Sequence, residues 1–418
     1  MKDPLEEATE TVTRRGATGA ALILLLGLVV LGIARPSTVD TLLIILGIAA
    51  LIMVHEAGHY LAAKRAGMKV TEFFLGFGPR IWSVRRGETE YGVKVLPLGG
   101  YVRIIGMNNI EEVDPADESR TYRQGSFGQR LTVVLAGVTV NIVVAALLFF
   151  VVFAARGLPD GPSTTISEVV AGTPASRDGL EPGDRIVEID GHRIDDWQDV
   201  PDALENQAGE VTTFVVERDG RVEQLEIRPE QRSATDSSGF VGISPEDSYR
   251  SLGLVGAARE SVATMGRGTA GLANGLADLF SPSGLSRYSE NFTDEPSGSG
   301  SGSGGGGARV VEEDRPRGIV GIVDLGGELV DGDMWKLLYL LAGLNLIVAL
   351  FNLIPLLPFD GGHAAIACYE QVVSKVRRKE VRVDYRRLVP VTAVVLALFL
   401  TLGLSVMYLD LRDIINGS

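Results

Sequence analysis

The chain reads as a polytopic α-helical membrane protein with a small membrane-associated β region and one compact extracytoplasmic α+β module. Three observations predict this. Hydrophobic residues, 45% of 418, gather into runs long enough to cross about 30 Å of hydrocarbon. Lysines and arginines crowd into alternate connections between those runs. A long acidic stretch, with no lysine from Gly157 to Trp335, separates the third run from the fourth.

The runs are Ala17–Ala34, Thr41–Ala63, Leu131–Ala155, Leu337–Leu357 and Leu388–Leu409, and each is read as a transmembrane helix. The first follows a polar tail, residues 1–16, and Arg14-Arg15; Arg35-Pro36 closes it. It lacks a clear A-x-A cleavage site, so a retained helix is favoured over a signal sequence. Basic residues set the orientation. Lys2, Arg14 and Arg15 precede the first run; Lys64 through Arg130 supply the second-to-third connection; Lys375 through Arg387 supply the fourth-to-fifth. These segments belong in the cytoplasm, which puts the N-terminus inside and the acidic stretch outside. The formal net charge of -14 comes mainly from that external part and argues against nucleic acid as a partner. The single cysteine, Cys368, excludes an intrachain disulfide.

The second run ends in Val54-His55-Glu56-Ala57-Gly58-His59. Two histidines four apart on a helix share a face, so both imidazoles reach one metal ion. Glu56 beside them is placed to act as base toward water on that metal. Without such a purpose a glutamate in an apolar helix is costly. Catalytic zinc takes a third protein ligand and leaves a position for water. His192, in an external turn, is on the wrong side. Asp360 and His363 end the fourth run, at the same cytoplasmic depth as His55 and His59. Asp360 is the better ligand: Pro355 and Pro358 break the helix before it, and Gly361-Gly362 allow close approach. The alternatives are Asp360 as the cap of a following helix, and His363 as a packing residue or substitute ligand. Asn352 is placed either to donate to a substrate carbonyl or to bond another helix. Asn141, in the third run, has the same two readings.

The connection 67–130 contains strand-like pieces at Ile81–Val84, Tyr91–Leu96 and Gly99–Gly106, with a turn at Arg86-Gly87-Glu88. They form either a hairpin packed on the helices or an open edge that an extended peptide joins. The external module, 163–230, has a strand at Ile166–Val169, a strand at Arg185–Ile189, a helix over Asp195–Gln207, and a hairpin of Val211–Glu217 with Val222–Ile227 about Asp219-Gly220. Its G-L-x-x-G-D-x-I-x-x-I-D-G pattern, Gly179 to Gly191, resembles that of a PDZ domain, a module that binds peptides by strand addition. Residues 231–336 add an amphipathic stretch, Leu252–Phe280, and a Ser/Gly linker, Ser297–Gly307.

With both halves of the site in view, the chain resembles a site-2 protease, an intramembrane zinc metalloprotease of the bacterial type with an extracytoplasmic PDZ (α+β) domain. The motifs that carry the resemblance are H-E-x-x-H at His55–His59, N-x-x-P-x-x-x-x-D-G from Asn352 to Gly361, and G-F-G-P at Gly76–Pro79. The resemblance implies one zinc ion held by His55, His59 and Asp360, Glu56 as catalytic base, and Asn352 supporting the transition state. It implies strand addition of the substrate at Tyr91, Gly100, Tyr101 and Val102. The activity implied is regulated intramembrane proteolysis of a single-pass protein in the lipid bilayer, after trimming by an upstream site-1-type protease. Anti-sigma factors and remnant signal peptides are the substrates such relatives commonly cut. Two departures stand out. Gly137-Val138-Thr139-Val140-Asn141 lacks the proline of the family's G-P-x-x-N, and the Ala17–Ala34 helix is additional to the family core. A catalytically silent PDZ-bearing partner protein or a zinc transporter are the rival classes. Intact site residues oppose the first; ionisable residues at a single depth oppose the second.

Overall fold

The computed structural model describes residues 37–416 apart from 108, 234–235, 280, 285, 287–329 and 331. The helix expected at Ala17–Ala34 and the Ser/Gly linker at Ser297–Gly307 lie outside the described residues. In chain order the elements are α1 (Ser37–Arg65), β1 (Val70–Arg86), β2 (Thr89–Ile104), α2 (Phe127–Ala155), β3 (Leu158–Val169), α3 (Pro174–Asp178), β4 (Arg185–Ile189), β5 (His192–Arg193) and α4 (Asp199–Leu204). There follow β6 (Thr212–Arg218), β7 (Arg221–Ile227), β8 (Glu230–Ser233), β9 (Asp236–Phe240), β10 (Ile243–Arg250), α5 (Gly253–Leu279), α6 (Met334–Asn352), α7 (Asp360–Arg377) and α8 (Val389–Asn416). The chain divides into two units, residues 1–152 with 259–418, and residues 153–258.

Among the described residues, four helices are long and apolar enough to span a bilayer: α1, α2, α6 and α8. Their apolar side chains are widely exposed, among them Leu46, Leu61, Leu396, Leu400 and Leu404. Lipid tolerates such surfaces, because hydrocarbon is as good a solvent for leucine as a protein core is. α6 starts on an Asp333 cap, whose Oδ1 accepts from Trp335 N at 2.8 Å. It stops at Asn352, short of the expected Leu357. Pro355 has no N–H to continue the ladder and disfavours a helical residue before it. The chain then turns back into α7, a helix the sequence offered only as an alternative, with Asp360 as its first residue.

β1 and β2 fold on each other twice. Phe73 pairs with Val102 on one side and Tyr91 on the other, while Tyr91 also pairs with Val84. The strand order is therefore 100–104, 70–75, 89–94, 80–86. The reversal within β1 falls at Gly76 and Gly78, whose φ of 90° and 86° a side chain would resist. Residues 100–104 form one edge, and that edge lies along α1. A core of Ala63, Met68, Val70, Ile104, Tyr122, Val133 and Val134 joins the end of α1, the sheet and the start of α2. At the far turn Glu88 takes two hydrogen bonds from Arg120, at 2.7 and 2.9 Å, and pairs with Lys64 at the end of α1. The Arg120 bonds, with Lys64 beside them, hold its carboxyl down at about 2.

The second unit is a twisted sheet of order β10-β3-β4-β6-β7 with β5 on β4, closed by α3 and α4. Its own core centres on Ile166, Ile186, Ile189, Phe214, Val216 and Ile227, all nearly inaccessible. The two short helices, the strand order and the Gly179–Gly191 pattern make it a PDZ domain. β10 extends the module to Arg250, past the boundary expected at 230, because β10 pairs with β3. The helix expected over Asp195–Gln207 is shortened to Asp199–Leu204. The Asp199 carboxylate takes the N–H groups of Asp195 and Asp196, both at 2.9 Å, so the preceding turn is an Asp-capped loop. Asp184 of the Gly-Asp loop is buried and receives two bonds of 2.7 Å from Arg218. Burial alone would raise its carboxyl, but the guanidinium and the Glu181 N–H outweigh that and hold it below the usual range.

Candidate metal centre

The first unit brings His55, His59 and Asp360 together. His55 and His59 point from one face of α1, with Nε2 atoms 3.2 Å apart. Asp360 Oδ2 stands 3.2 Å from His55 Nε2 and 3.1 Å from His59 Nε2. Both histidines are buried, each 7% exposed. These separations suit one small ion. Tetrahedral zinc with ligand bonds of about 2.0–2.1 Å has edges of about 3.3 Å. Two imidazoles and one carboxylate are an ordinary catalytic zinc set, leaving a fourth position for water or substrate.

The histidines are oriented from behind. His59 Nδ1 lies 2.8 Å from the Val133 carbonyl of α2. A carbonyl only accepts, so Nδ1 carries the proton and Nε2 presents its lone pair to the site. α2 approaches closely because two glycines face each other. A Cβ on Gly58 would lie 2.8 Å from the Ala136 carbonyl oxygen and 3.1 Å from Gly137 Cα. A Cβ on Gly137 would lie 2.3 Å from His59 Nε2. Small residues at a membrane-helix crossing let the backbones meet in this way. One turn further, Asn345 Nδ2 of α6 donates to the backbone carbonyl of Asn141 at 2.7 Å, so Asn345 supplies the interhelical tie, while the buried Asn141 side chain makes no hydrogen bond of its own among the described residues.

Asp360 is fixed by the turn before it. Added Cβ atoms on Gly361 and Gly362 would come within 2.3 Å of the Leu353 oxygen and 2.5 Å of the Leu356 carbon. The Asn352–Phe359 turn is thus folded directly over the start of α7, as only glycine allows. Asn352 is the last residue of α6, half-buried. His363 is outside the cluster: its Nδ1 faces Tyr385 Oη at 3.4 Å, and the three converging donors are those of His55, His59 and Asp360. His192 is exposed on β5 of the PDZ domain.

The sheet edge lies beside Glu56. The Val102 backbone hydrogen-bonds to the Glu56 carboxylate, and a Cβ on Gly100 would lie 3.2 Å from Glu56 Cγ. Gly100, Tyr101 and Val102 each pair on one side only, with Leu75, Phe74 and Phe73. Tyr91 is a correction. Strands flank it on both sides and its hydroxyl meets that of Tyr60, so it offers no free edge.

The sequence profile of peptidase family M50 matches residues 43–286 and 306–400. The chain belongs to peptidase family M50. Among similar proteins, the zinc metalloprotease Rip1 of Mycobacterium tuberculosis (strain H37Rv) is 34% identical over 386 residues, spanning 85% of this chain and 93% of the relative. The metalloprotease MmpA of Caulobacter vibrioides is 29% identical over 371 residues, spanning 80% of this chain and 87% of the relative. The PDZ domain of an SdrC-like protein from Listeria monocytogenes is a solved structure similar to part of the chain. It has 23% identity and a TM-score of 0.19, covering 20% of this chain and 88% of that one. This M50 peptidase is a zinc metalloprotease of the site-2 type, built into the membrane.

Sequence reasoning missed the parts that aim the site: the Val133 carbonyl and the Gly58–Gly137 crossing. A signal was available for the crossing. Gly58 lies inside the H-E-x-x-H turn, and Gly137 is a small residue in an apolar helix.

Proposed function

We propose that this chain hydrolyses a peptide bond within or beside the transmembrane segment of a single-pass membrane protein that an upstream site-1-type protease has already trimmed. The observation that carries this reading is the convergence of His55 and His59, on the membrane-spanning helix α1, with Asp360 at the start of α7, next to Glu56 and a strand edge paired on one side only. His55, His59 and Asp360 would hold the zinc ion, which would supply Lewis acidity and lower the pKa of a water at the site. Glu56 accepts the proton from the attacking water and delivers it to the leaving amine. A helical substrate hides its peptide groups in its own ladder, so it must unwind to react. Gly100, Tyr101 and Val102 receive the unwound segment as an added strand. Asn352 supports the developing oxyanion.

The excess of lysine and arginine in alternate connections supports an orientation with the N-terminus and the metal site toward the cytoplasm and the PDZ domain outside the plasma membrane. There the PDZ domain controls which substrates reach Glu56. Anti-sigma factors and remnant signal peptides are the substrate classes that fit. Membrane proteomics comparing wild type with Glu56→Gln tests the reading: trimmed single-pass fragments accumulate in the variant. Equal fragment patterns in both strains contradict it.

A further inference from the structure

The ligands come from two helices, and α2 touches both. Its buried stripe Arg130, Val133 and Gly137 runs past α7 and α1 in turn. Val133 holds His59 and Gly137 admits both imidazole rings. Arg130, at the start of the stripe, reaches α7. Its Nη2 stands 2.7 Å from Glu370 Oε2, with both side chains under 10% exposed.

The surroundings fix both partners. The Arg130 guanidinium lies over the Tyr122 ring at 5.2 Å, and Tyr122 Oη donates to the Arg130 carbonyl at 3.4 Å. Glu370 Oε1 accepts the Val383 N–H at 2.7 Å, and Arg382 Nη1 stands 3.6 Å from Oε2. Asn109, from the loop after the sheet edge, donates to the Val383 carbonyl at 3.2 Å and accepts from Tyr385 N at 3.3 Å. Neither Arg130 Nε nor Glu370 Oε2 has an aligned hydrogen bond, so charge holds the pair. A buried ion pair seldom adds stability over an apolar pair of the same size, and its best-attested use is to set register.

We propose that Arg130 and Glu370 are positioning residues that set the rotation and depth of α7 so that Asp360 meets His55 and His59. This rests on the reading of those three residues as the metal ligands. α2 is then the common gauge for both halves of the site, holding His59 through Val133 and Asp360 through Glu370.

The test is zinc affinity of the full chain in detergent, by competition with a chelator, alongside the thermal midpoint of the metal-free protein. Arg130→Met and Glu370→Met are each expected to weaken zinc binding about tenfold or more, as loss of outer supports does. The single variants strand a buried charge and lower the midpoint as well. The double variant Arg130→Met/Glu370→Met is therefore decisive. It is expected to recover most of the midpoint lost in the single variants, short of the Val383 N–H bond to Glu370, and to stay about tenfold weak for zinc. Wild-type zinc affinity in the double variant overturns the proposal. So does its failure to fold, because the pair would then carry the fold itself. His55→Ala in the same assay separates the two readings. If it keeps zinc, the ligand set is wrong; if it loses zinc while the double variant keeps it, only the role of Arg130 and Glu370 falls.

Discussion

Gly137→Ala adds one methyl group at the point where α2 meets His55 and His59. That carbon would stand 2.3 Å from His59 Nε2 and 2.7 Å from His55 Cε1. Ordinary contact begins at about 3.5 Å, so the His59 ring must retreat by about 1.2 Å. Metal ligands are held to about 0.2 Å, and a misplacement of about 1 Å costs about 100-fold in rate. Moving α2 away instead gives no relief, because His59 Nδ1 then loses the Val133 carbonyl at 2.8 Å. Zinc affinity and cleavage of a reporter substrate should therefore both fall about 100-fold. The assay is chelator competition and initial rate on purified protein, with Gly128→Ala as a same-helix control. A Cβ at Gly128 meets nothing within 4 Å, and that variant should match wild type. Gly137→Ala with wild-type zinc affinity and rate would refute the close-crossing argument.

Other expectations follow from the same geometry. Gly100→Val brings side-chain atoms against Ile52, Glu56 and Met53, where a Cβ alone lies at 3.1–3.3 Å; cleavage should fall while bound zinc stays near one per chain, and zinc loss would show that the edge supports the metal instead. Asp184→Asn in the PDZ domain weakens two charge-assisted bonds to Arg218 and should cost about 1.5–3 kcal/mol in a denaturant titration; an unchanged midpoint contradicts that assignment. The folded carboxyl of Asp184 lies below its ordinary value, so its contribution is complete above about pH 4–5 and is lost as pH falls through the lowered value. Glu88 follows the same sign. Its tie between the sheet turn, Arg120 and Lys64 should hold from pH 8 down to about 4.5 and loosen toward about 2; limited proteolysis of the 80–120 region checks this, and loosening at pH 6–7 would contradict it.

The legible part of this molecule was the chemistry and the apolar runs. His55, Glu56, His59 and Asp360 could be read because each is an expensive residue for an apolar setting. The less legible part was backbone path. α6 stops at Asn352 and α7 starts at Asp360 because Pro355, Gly361 and Gly362 force a turn; periodicity alone ran the helix on to Leu357. Tyr91 looked like an edge residue because β1 and β2 each reverse within what reads as one strand, which puts Tyr91 in the interior. β10 was missed because its partner β3 precedes it by some 80 residues, a pairing with no local signal. The Arg130–Glu370 contact is equally non-local. Nothing local in the sequence says that an arginine at the start of α2 and a glutamate in α7 will meet and be buried together.

The central claim is that Glu56 acts on water at a site held by His55, His59 and Asp360. The direct measurement is purified full chain in a lipid bilayer with a trimmed single-pass substrate, scored for bound zinc and for cleavage. Wild type and Glu56→Gln should each bind about one zinc per chain, with cleavage in the variant lower by about 100- to 10,000-fold. Asp360→Asn should lose both zinc and cleavage. Cleavage that persists in Glu56→Gln at the wild-type rate, or full zinc occupancy in Asp360→Asn, would contradict the account.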